Sequence, residues 1–123
     1  MKIAISSTGP HLEAEVDPRF GRCAYFIIVD TITDEFEALK NDLAAKGGGA
    51  GTRAAQMIAR AGVVAVITGS LGPKAQEALK AAGLTAYTGM AGSVREVLEL
   101  YKHGTRPAAD TGLHSASGAG RGG

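Results

Sequence analysis

Hydrophobic and polar residues alternate along the first third of the chain in the pattern typical of β-strands. Residues 2–6 alternate and are rich in isoleucine, residues 24–29 form an aromatic and β-branched run, and residues 36–40 alternate apolar with polar side chains. These segments predict three strands. The polar cluster 31–35 predicts a hairpin turn, so the second and third strands should be antiparallel. Residues 11–17 carry three acidic side chains and are interpreted as a surface loop.

After Asn41 the apolar residues change to the three- and four-residue spacing of helices. Helices are predicted from Arg53 to Ala61, from Pro73 to the glycine at 83, and from the capping-box match Ser93-Val94-Arg95-Glu96 to the glycine at 104, with strands at 63–68 and 84–88 between them. This β-α-β-α order with short links predicts parallel strands joined by right-handed crossovers. The chain is therefore expected to form one α/β domain, a five-stranded mixed sheet flanked by about three helices.

The last nineteen residues, 105–123, differ in composition from the rest of the chain. They consist mainly of glycine, alanine, serine and threonine, with almost nothing to bury in a core. We therefore predict a domain at residues 1–104 followed by a disordered tail at 105–123.

Composition narrows the class of protein. With 45% apolar and 20% charged residues, and no apolar run long enough for a bilayer or a secretory signal, the chain is expected to be soluble and cytoplasmic, with no membrane partner. One cysteine excludes an internal disulfide, which fits a reducing compartment. A net charge of +1 and 5% aromatic residues do not indicate a basic or base-stacking surface for nucleic acid, so no nucleic-acid partner is expected.

The segment 17–30 contains the strongest candidates for chemistry. A turn-prone Asp-Pro start feeds a loop with Arg19, Arg22 and Cys23 directly into the second predicted strand. Two interpretations of the cysteine remain open at this point. It is a small buried hydrophobe, as free cysteines often are, or it is a thiolate favoured by the flanking arginines and able to ligate a soft metal.

A second candidate is the glycine loop at residues 46–52. Gly49, Ala50 and Gly51 precede a predicted helix, where backbone N–H groups can bind an anion. The G-x-G-x-x-A spacing beginning at Gly49 is a weak match to the dinucleotide fingerprint and fails on context, because no acidic residue stands near the expected ribose position. The alternative is that the glycines only permit a tight loop before the helix.

The sequence gives little support for a protein-built metal site or an enzyme. His11, His103 and His114 are far apart, and neither a C-x-x-C pair nor an H-E-x-x-H motif is present. The two segments expected as central strands, 2–6 and 63–68, contain no carboxylate for metal-assisted phosphoryl chemistry. We therefore expect a protein without enzymatic activity.

Several segments, taken in order, resemble one known family. They are Met1-Lys2-Ile3-Ala4-Ile5, Arg19-Phe20-Gly21-Arg22-Cys23-Ala24-Tyr25-Phe26, Gly49-Ala50-Gly51 with Ala54-Ala55-Gln56, Thr68-Gly69-Ser70-Leu71-Gly72-Pro73-Lys74-Ala75, and Ala81-Ala82-Gly83-Leu84 with Tyr87. Over roughly residues 1–104 the chain resembles the dinitrogenase iron-molybdenum cofactor biosynthesis family. This resemblance implies a ribonuclease H-like fold and a small non-enzymatic carrier of an iron-molybdenum or iron-sulfur cofactor, or of its precursor.

The resemblance also implies roles for individual residues. Many members of the family have histidine where this chain has Arg19, and arginine cannot ligate a metal. The expected site is therefore Cys23 as the direct ligand of a transiently held metallocluster, Arg19 and Arg22 as charge partners, and the amides of residues 49–51 as further donors. The alternative is a regulatory or interaction module that binds an iron-sulfur assembly ATPase and holds no cluster. Cofactor-assembly proteins are possible partners on either interpretation.

Overall fold

The computed structural model describes residues 1–42 and 49–104. The predicted tail at 105–123 and part of the predicted glycine loop, residues 46–48, lie outside them. The elements are, in chain order, β1 Lys2–Ser7, β2 Tyr25–Asp30, β3 Phe36–Lys40, α1 Ala50–Arg60, β4 Ala65–Ile67, α2 Pro73–Ala81, β5 Thr85–Tyr87 and α3 Val94–Lys102.

The five strands form one mixed sheet in the order β3-β2-β1-β4-β5. The hairpin β2–β3 is antiparallel, as predicted, and β2 is also antiparallel to β1. β1 pairs with β4 and β4 with β5 in parallel. Helix α1 connects β3 to β4, and helix α2 connects β4 to β5. The predicted fold class, a mixed five-stranded sheet with three helices, is confirmed.

The sheet is covered on both faces, so successive side chains of β1 point alternately into two different hydrophobic cores. Ala4 faces the core formed with α1 and α2, where buried residues such as Ile58 and Leu79 pack. Ile3 and Ile5 face the other core, formed with the buried side of α3. Small residues on the two-helix side let α1 and α2 pack close together over the sheet.

The predicted capping box at the start of α3 is present. The Ser93 hydroxyl accepts a hydrogen bond from the Glu96 N–H at 3.1 Å, and the Glu96 carboxylate accepts from the Ser93 N–H at 2.8 Å. Behind this cap, Val97, Leu98 and Tyr101 form the apolar stripe that was predicted from the sequence.

The prediction that residues 11–17 are a surface loop is wrong. Leu12 and Val16 are buried in the core beside α3, and the acidic residues between them point outward. The backbone N–H groups of Val94 and Arg95 donate to carbonyls of this segment at 2.8 Å each. The segment packs onto α3 because its apolar and acidic side chains alternate as in a strand, a pattern that its overall polarity hid.

The remaining differences concern element ends. Helix α1 begins at Ala50, three positions before the predicted Arg53. β4 is shorter than predicted, although Val63 is buried and the Val64 backbone still donates to the Lys2 carbonyl and accepts from the Thr85 N–H. Among the described residues, no helix combines the length and the apolar character needed to cross a bilayer.

Candidate functional site: a basic cleft

A cleft of about 590 Å³ opens where the parallel strands end and two helices begin. It is lined by Arg19, Phe20, Gly21, Arg22, Gly49, Ala50, Gly51, Thr52, Ser70, Gly72, Pro73, Lys74 and Ala75. The volume lies in the range of about 300–1,000 Å³ that is usual for small-molecule sites. The carboxyl edge of parallel strands is also where α/β proteins commonly bind ligands.

Five of the six residues predicted as binding residues meet in this cleft. Arg19 and Arg22 come from the loop before β2, residues 17–24, which is called the arginine loop below. Gly49, Ala50 and Gly51 form the start of α1. The structure therefore brings together groups that lie about thirty residues apart in sequence. Their role in binding a cofactor stays a prediction.

Three polar residues of the lining were missed by the sequence analysis. Thr52 stands in the first turn of α1, Ser70 follows β4, and Lys74 stands in the first turn of α2. Of the three, only Lys74 could have been identified from the sequence, because it directly follows a helix-starting proline. A cation is unfavourable at a helix N-terminus unless a negative group compensates it.

Close backbone contacts join the walls of the cleft. A Cβ added to Gly21 would lie 2.8 Å from both the Cα and the backbone N of Gly51, and one added to Gly51 would lie 3.0 Å from the Cβ of Ala75. A Cβ on Gly69 would lie 2.6 Å from the Cα of Pro18. The arginine loop, α1 and α2 therefore touch at glycines, and a side chain at Gly21 would force its loop away from α1.

The N-termini of α1 and α2 both open into the cleft without a side-chain cap. The residues at their N-caps, Gly49 and Gly72, make no side-chain hydrogen bond, and neither first turn contains an acidic residue. Helix α3 differs, because its first amides are satisfied by the capping box and by the packed segment 11–17. Uncapped first-turn N–H groups and the partial positive charge of a helix N-terminus favour a bound anion.

Arg19 is anchored at the rim of the cleft. Its position pairs with Ser70 in an isolated parallel bridge, and the Ser70 N–H donates to the Pro18 carbonyl at 2.9 Å. Asp17 Oδ1 accepts from the Arg19 backbone N–H at 3.0 Å and lies 3.4 Å from Arg19 Nε. The Arg19 side chain is nevertheless 67% exposed, so its charge remains accessible to a ligand.

The expected solvent-open thiolate at Cys23 is wrong. The side chain is fully buried in the core with Phe20 and Phe26, and burial, followed by the negative charge of Asp17, raises the pKa of the thiol from 9.0 to about 12. Its neighbour Arg22 is exposed, because successive residues entering a strand point to opposite sides. The buried-hydrophobe interpretation of the cysteine is the correct one, and Cys23 cannot act as the metal ligand in this conformation.

The chemistry available in the cleft is that of an anion site. Among the described residues, its lining holds three cationic side chains and two hydroxyls, but neither a sulfur nor an imidazole nor a carboxylate. In residues 1–42 and 49–104, no cluster of three or more metal-binding side chains occurs. The described groups can therefore hold a negatively charged ligand by charge and hydrogen bonds, but they offer no thiolate, imidazole or carboxylate to the iron of a cluster.

Comparison with known proteins agrees with the fold and its extent. An uncharacterised protein of Methanocaldococcus jannaschii is 35% identical over 107 residues, covering 85% of this chain and 87% of that protein. The apo form of the orange protein from Desulfovibrio gigas superposes with a TM-score of 0.83 at 40% identity, covering 86% of this chain and 90% of that one. A putative NifB protein from Thermotoga superposes with a TM-score of 0.77 at 34% identity, covering 91% and 95%.

The family profile gives the assignment. The profile described as "dinitrogenase iron-molybdenum cofactor" matches residues 1–104, which include every element of the described sheet and all residues lining the cleft. The chain therefore belongs to the dinitrogenase iron-molybdenum cofactor family.

Proposed function

We propose that this protein is a non-enzymatic carrier that holds an anionic iron-molybdenum or iron-sulfur cluster, or a precursor of one, in the basic cleft. The observation that carries the proposal is the convergence of three cationic side chains and two uncapped helix N-termini on a cleft whose lining, as far as residues 1–42 and 49–104 form it, contains no carboxylate. Membership of the family, whose name refers to such a cofactor, supports the choice of ligand.

The buried cysteine changes how such a cluster would be held. Since Cys23 is inaccessible and arginine and lysine are donors only, the cluster must bring its own sulfur or thiolate ligands. Arg19, Arg22 and Lys74 would then donate hydrogen bonds to the outer sulfur atoms, together with the first amides of α1 and α2. A cluster held without metal–protein bonds can be released intact, which suits a carrier.

The lining also favours binding over catalysis. Of its two hydroxyl groups, Ser70 Oγ already donates to the Pro18 carbonyl at 2.8 Å, and the described lining has neither an imidazole nor a carboxylate to act as a general base for it. We therefore propose a role in storage and transfer of the cluster, with cofactor-assembly proteins as the donors and acceptors.

The proposal is tested by anaerobic titration of the protein with a [4Fe–4S] cluster that carries four small thiolates. The measured quantity is the visible absorption of the protein-bound cluster. Replacing Arg19, Arg22 or Lys74 by glutamine should each raise the Kd about 3- to 10-fold, because each substitution removes one charge-assisted contact. Arg60→Gln and Lys80→Gln are the matched controls, because they remove a charge at the opposite ends of α1 and α2.

Two results would contradict the proposal. One is a wild-type protein that neither retains the cluster nor changes its spectrum. The other is an equal loss of affinity in the control and cleft variants, which would indicate general attraction by surface charge. Tight binding to an iron-sulfur assembly ATPase by a protein indifferent to clusters would instead support the interaction module.

Cys23→Ala should bind the cluster as the wild type does.

A further inference from the structure

A chain of buried polar groups runs from the centre of the sheet to the cleft. The hydroxyls of Ser6 in β1 and of Thr68 after β4 lie 2.8 Å apart, and the Ser6 hydroxyl is 2.7 Å from the Asp17 carbonyl. The Asp17 N–H donates back to the Ser6 carbonyl at 2.9 Å. All three residues are at most 3% exposed, so the position of Asp17 is fixed by the sheet itself.

The Asp17 carboxylate faces the arginine at the rim. Its side chain is 4% exposed, and its Oδ1 is shared between the backbone N–H and the Nε of Arg19, whose side chain is 67% exposed. A carboxylate is costly to bury unless charged or hydrogen-bonding partners compensate it. The buried Asp17 carboxylate is therefore compensated by the two groups of Arg19 from which it accepts hydrogen bonds.

We propose that Asp17 is a positioning residue that holds the Arg19 guanidinium over the cleft before an anion binds. This inference rests on the anion-binding role of the cleft proposed above. The hydrogen bond to Asp17 uses Nε through a single oxygen, which leaves the terminal edge of the guanidinium, Nη1 and Nη2, to meet the ligand as a fork.

The advantage of this arrangement is preorganisation. A free arginine side chain loses rotamer entropy when it is immobilised, and a ligand that orders it must offset that loss. Asp17 orders part of the side chain in advance. A single contact of 3.4 Å is too long to neutralise the guanidinium as a bidentate carboxylate would, so Arg19 keeps its attraction for an anion.

A double-mutant cycle tests this role. Asp17→Asn keeps an oxygen for the backbone N–H of Arg19 but removes the charge that holds Nε. With the thiolate-ligated [4Fe–4S] cluster as probe, Asp17→Asn should raise the Kd about 2- to 5-fold when Arg19 is present and less than about 1.5-fold in the Arg19→Gln background. Asp30→Asn is the matched control, because Asp30 also accepts backbone N–H groups in a turn, but at the opposite end of β2.

Two outcomes of the cycle would overturn the inference. If Asp17→Asn tightens binding, the carboxylate only repels the ligand. If it weakens binding equally with and without Arg19, Asp17 supports the loop and does not act through the guanidinium. Should Asp17→Asn fail to fold, Asp17→Ser decides the question, since its hydroxyl keeps an acceptor for the Arg19 N–H and removes the charge that holds Nε. It should lose the same 2- to 5-fold, and unchanged affinity would overturn the inference.

The same cycle can be repeated with inorganic phosphate, whose binding is measured by the NMR shifts of the amides of residues 49–52. This second probe separates the inference about Asp17 from the proposed function. A wild-type protein that binds phosphate with the expected coupling but never binds the cluster would overturn the cluster-carrier proposal and leave the role of Asp17 supported. Binding of neither probe would overturn both. In the ligand-free protein, Asp17→Asn should also shift the ¹⁵N resonance of Arg19 Nε, whereas Asp30→Asn should leave it unchanged.

Discussion

At the scale of single residues, the cleft is lined by cationic side chains rather than by metal ligands. Arg19, Arg22 and Lys74 supply that charge, while the one cysteine of the chain lies in the core and contributes to stability. Neighbours in sequence thus have different roles: Arg22 faces the cleft and Cys23 faces Phe26. The buried sulfur has a consequence for stability at high pH.

The free energy of unfolding should fall as the pH rises from 9 toward 12, with a contribution from Cys23. The folded pKa of about 12 lies above the ordinary value of 9.0, so between these values the unfolded chain releases a proton that the folded one keeps. The slope should approach about 1.4 kcal/mol per pH unit. Urea unfolding of wild type and Cys23→Ala between pH 8 and 10.5 measures it. An equally steep fall in both proteins would show that the thiol is not the cause.

At the scale of elements, the three helices differ in how their N-termini are satisfied. Helix α3 is closed by its capping box and by segment 11–17, and it lies on the face of the sheet away from α1 and α2. Helices α1 and α2 begin without side-chain caps, and α2 carries a lysine where a helix favours an acidic residue. Local stability is thus lower where the ligand is proposed to bind.

Lys74→Glu should therefore stabilise the protein and impair binding together. Reversing the charge in the first turn of α2 should raise the free energy of unfolding by about 0.5 to 1 kcal/mol, because a negative charge suits the helix N-terminus. The same reversal should abolish cluster retention. Lys80→Glu, in the last turn of the same helix, should destabilise the protein and leave retention unchanged. Urea unfolding and cluster titration measure both effects, and a Lys74→Glu protein that still binds would exclude α2 from the site.

At the scale of the whole molecule, the cleft exists because three distant segments touch through their backbones. Gly21 of the arginine loop contacts Gly51 of α1, and Gly51 contacts Ala75 of α2. These contacts set the spacing between the arginines and the two helix N-termini. They also couple the stability of the fold to the geometry of the cleft.

Gly21→Ala should reduce stability and binding together. The added methyl group would lie 2.8 Å from the backbone of Gly51, so the loop and α1 must separate, at a cost of about 1–3 kcal/mol. Gly72→Ala is the comparison for stability, because Gly72 has an ordinary φ of −79° and a Cβ there would meet nothing within 4 Å. It should lose only the smaller cost of alanine at a helix N-cap, about 0.5 kcal/mol. Urea unfolding and cluster titration of both variants provide the comparison. A Gly21→Ala protein with wild-type stability would show that the contact can relax without cost.

Much of the fold followed from local patterns, and the misses have two causes. Strand β3 and the capping box at Ser93 were predicted at their observed positions, because each is encoded by neighbouring residues. The alternation in segment 11–17 was overlooked because of its acidic residues. Cys23 was misjudged because whether a residue is buried depends on what packs over it. Lys74 was overlooked for the same reason, since its place in the site depends on α2 lying beside α1.

The sequence by itself determined the order and type of the elements, the mixed sheet and the location of the binding candidates in the arginine loop and at residues 49–51. These depend on periodicity, turn residues and charge, all of which act over a few positions. Only the tertiary structure decided that the arginines, two helix N-termini and Lys74 share one cleft, and that the sulfur points away from it. Burial and convergence arise from contacts between distant segments, and such contacts leave no period in the chain.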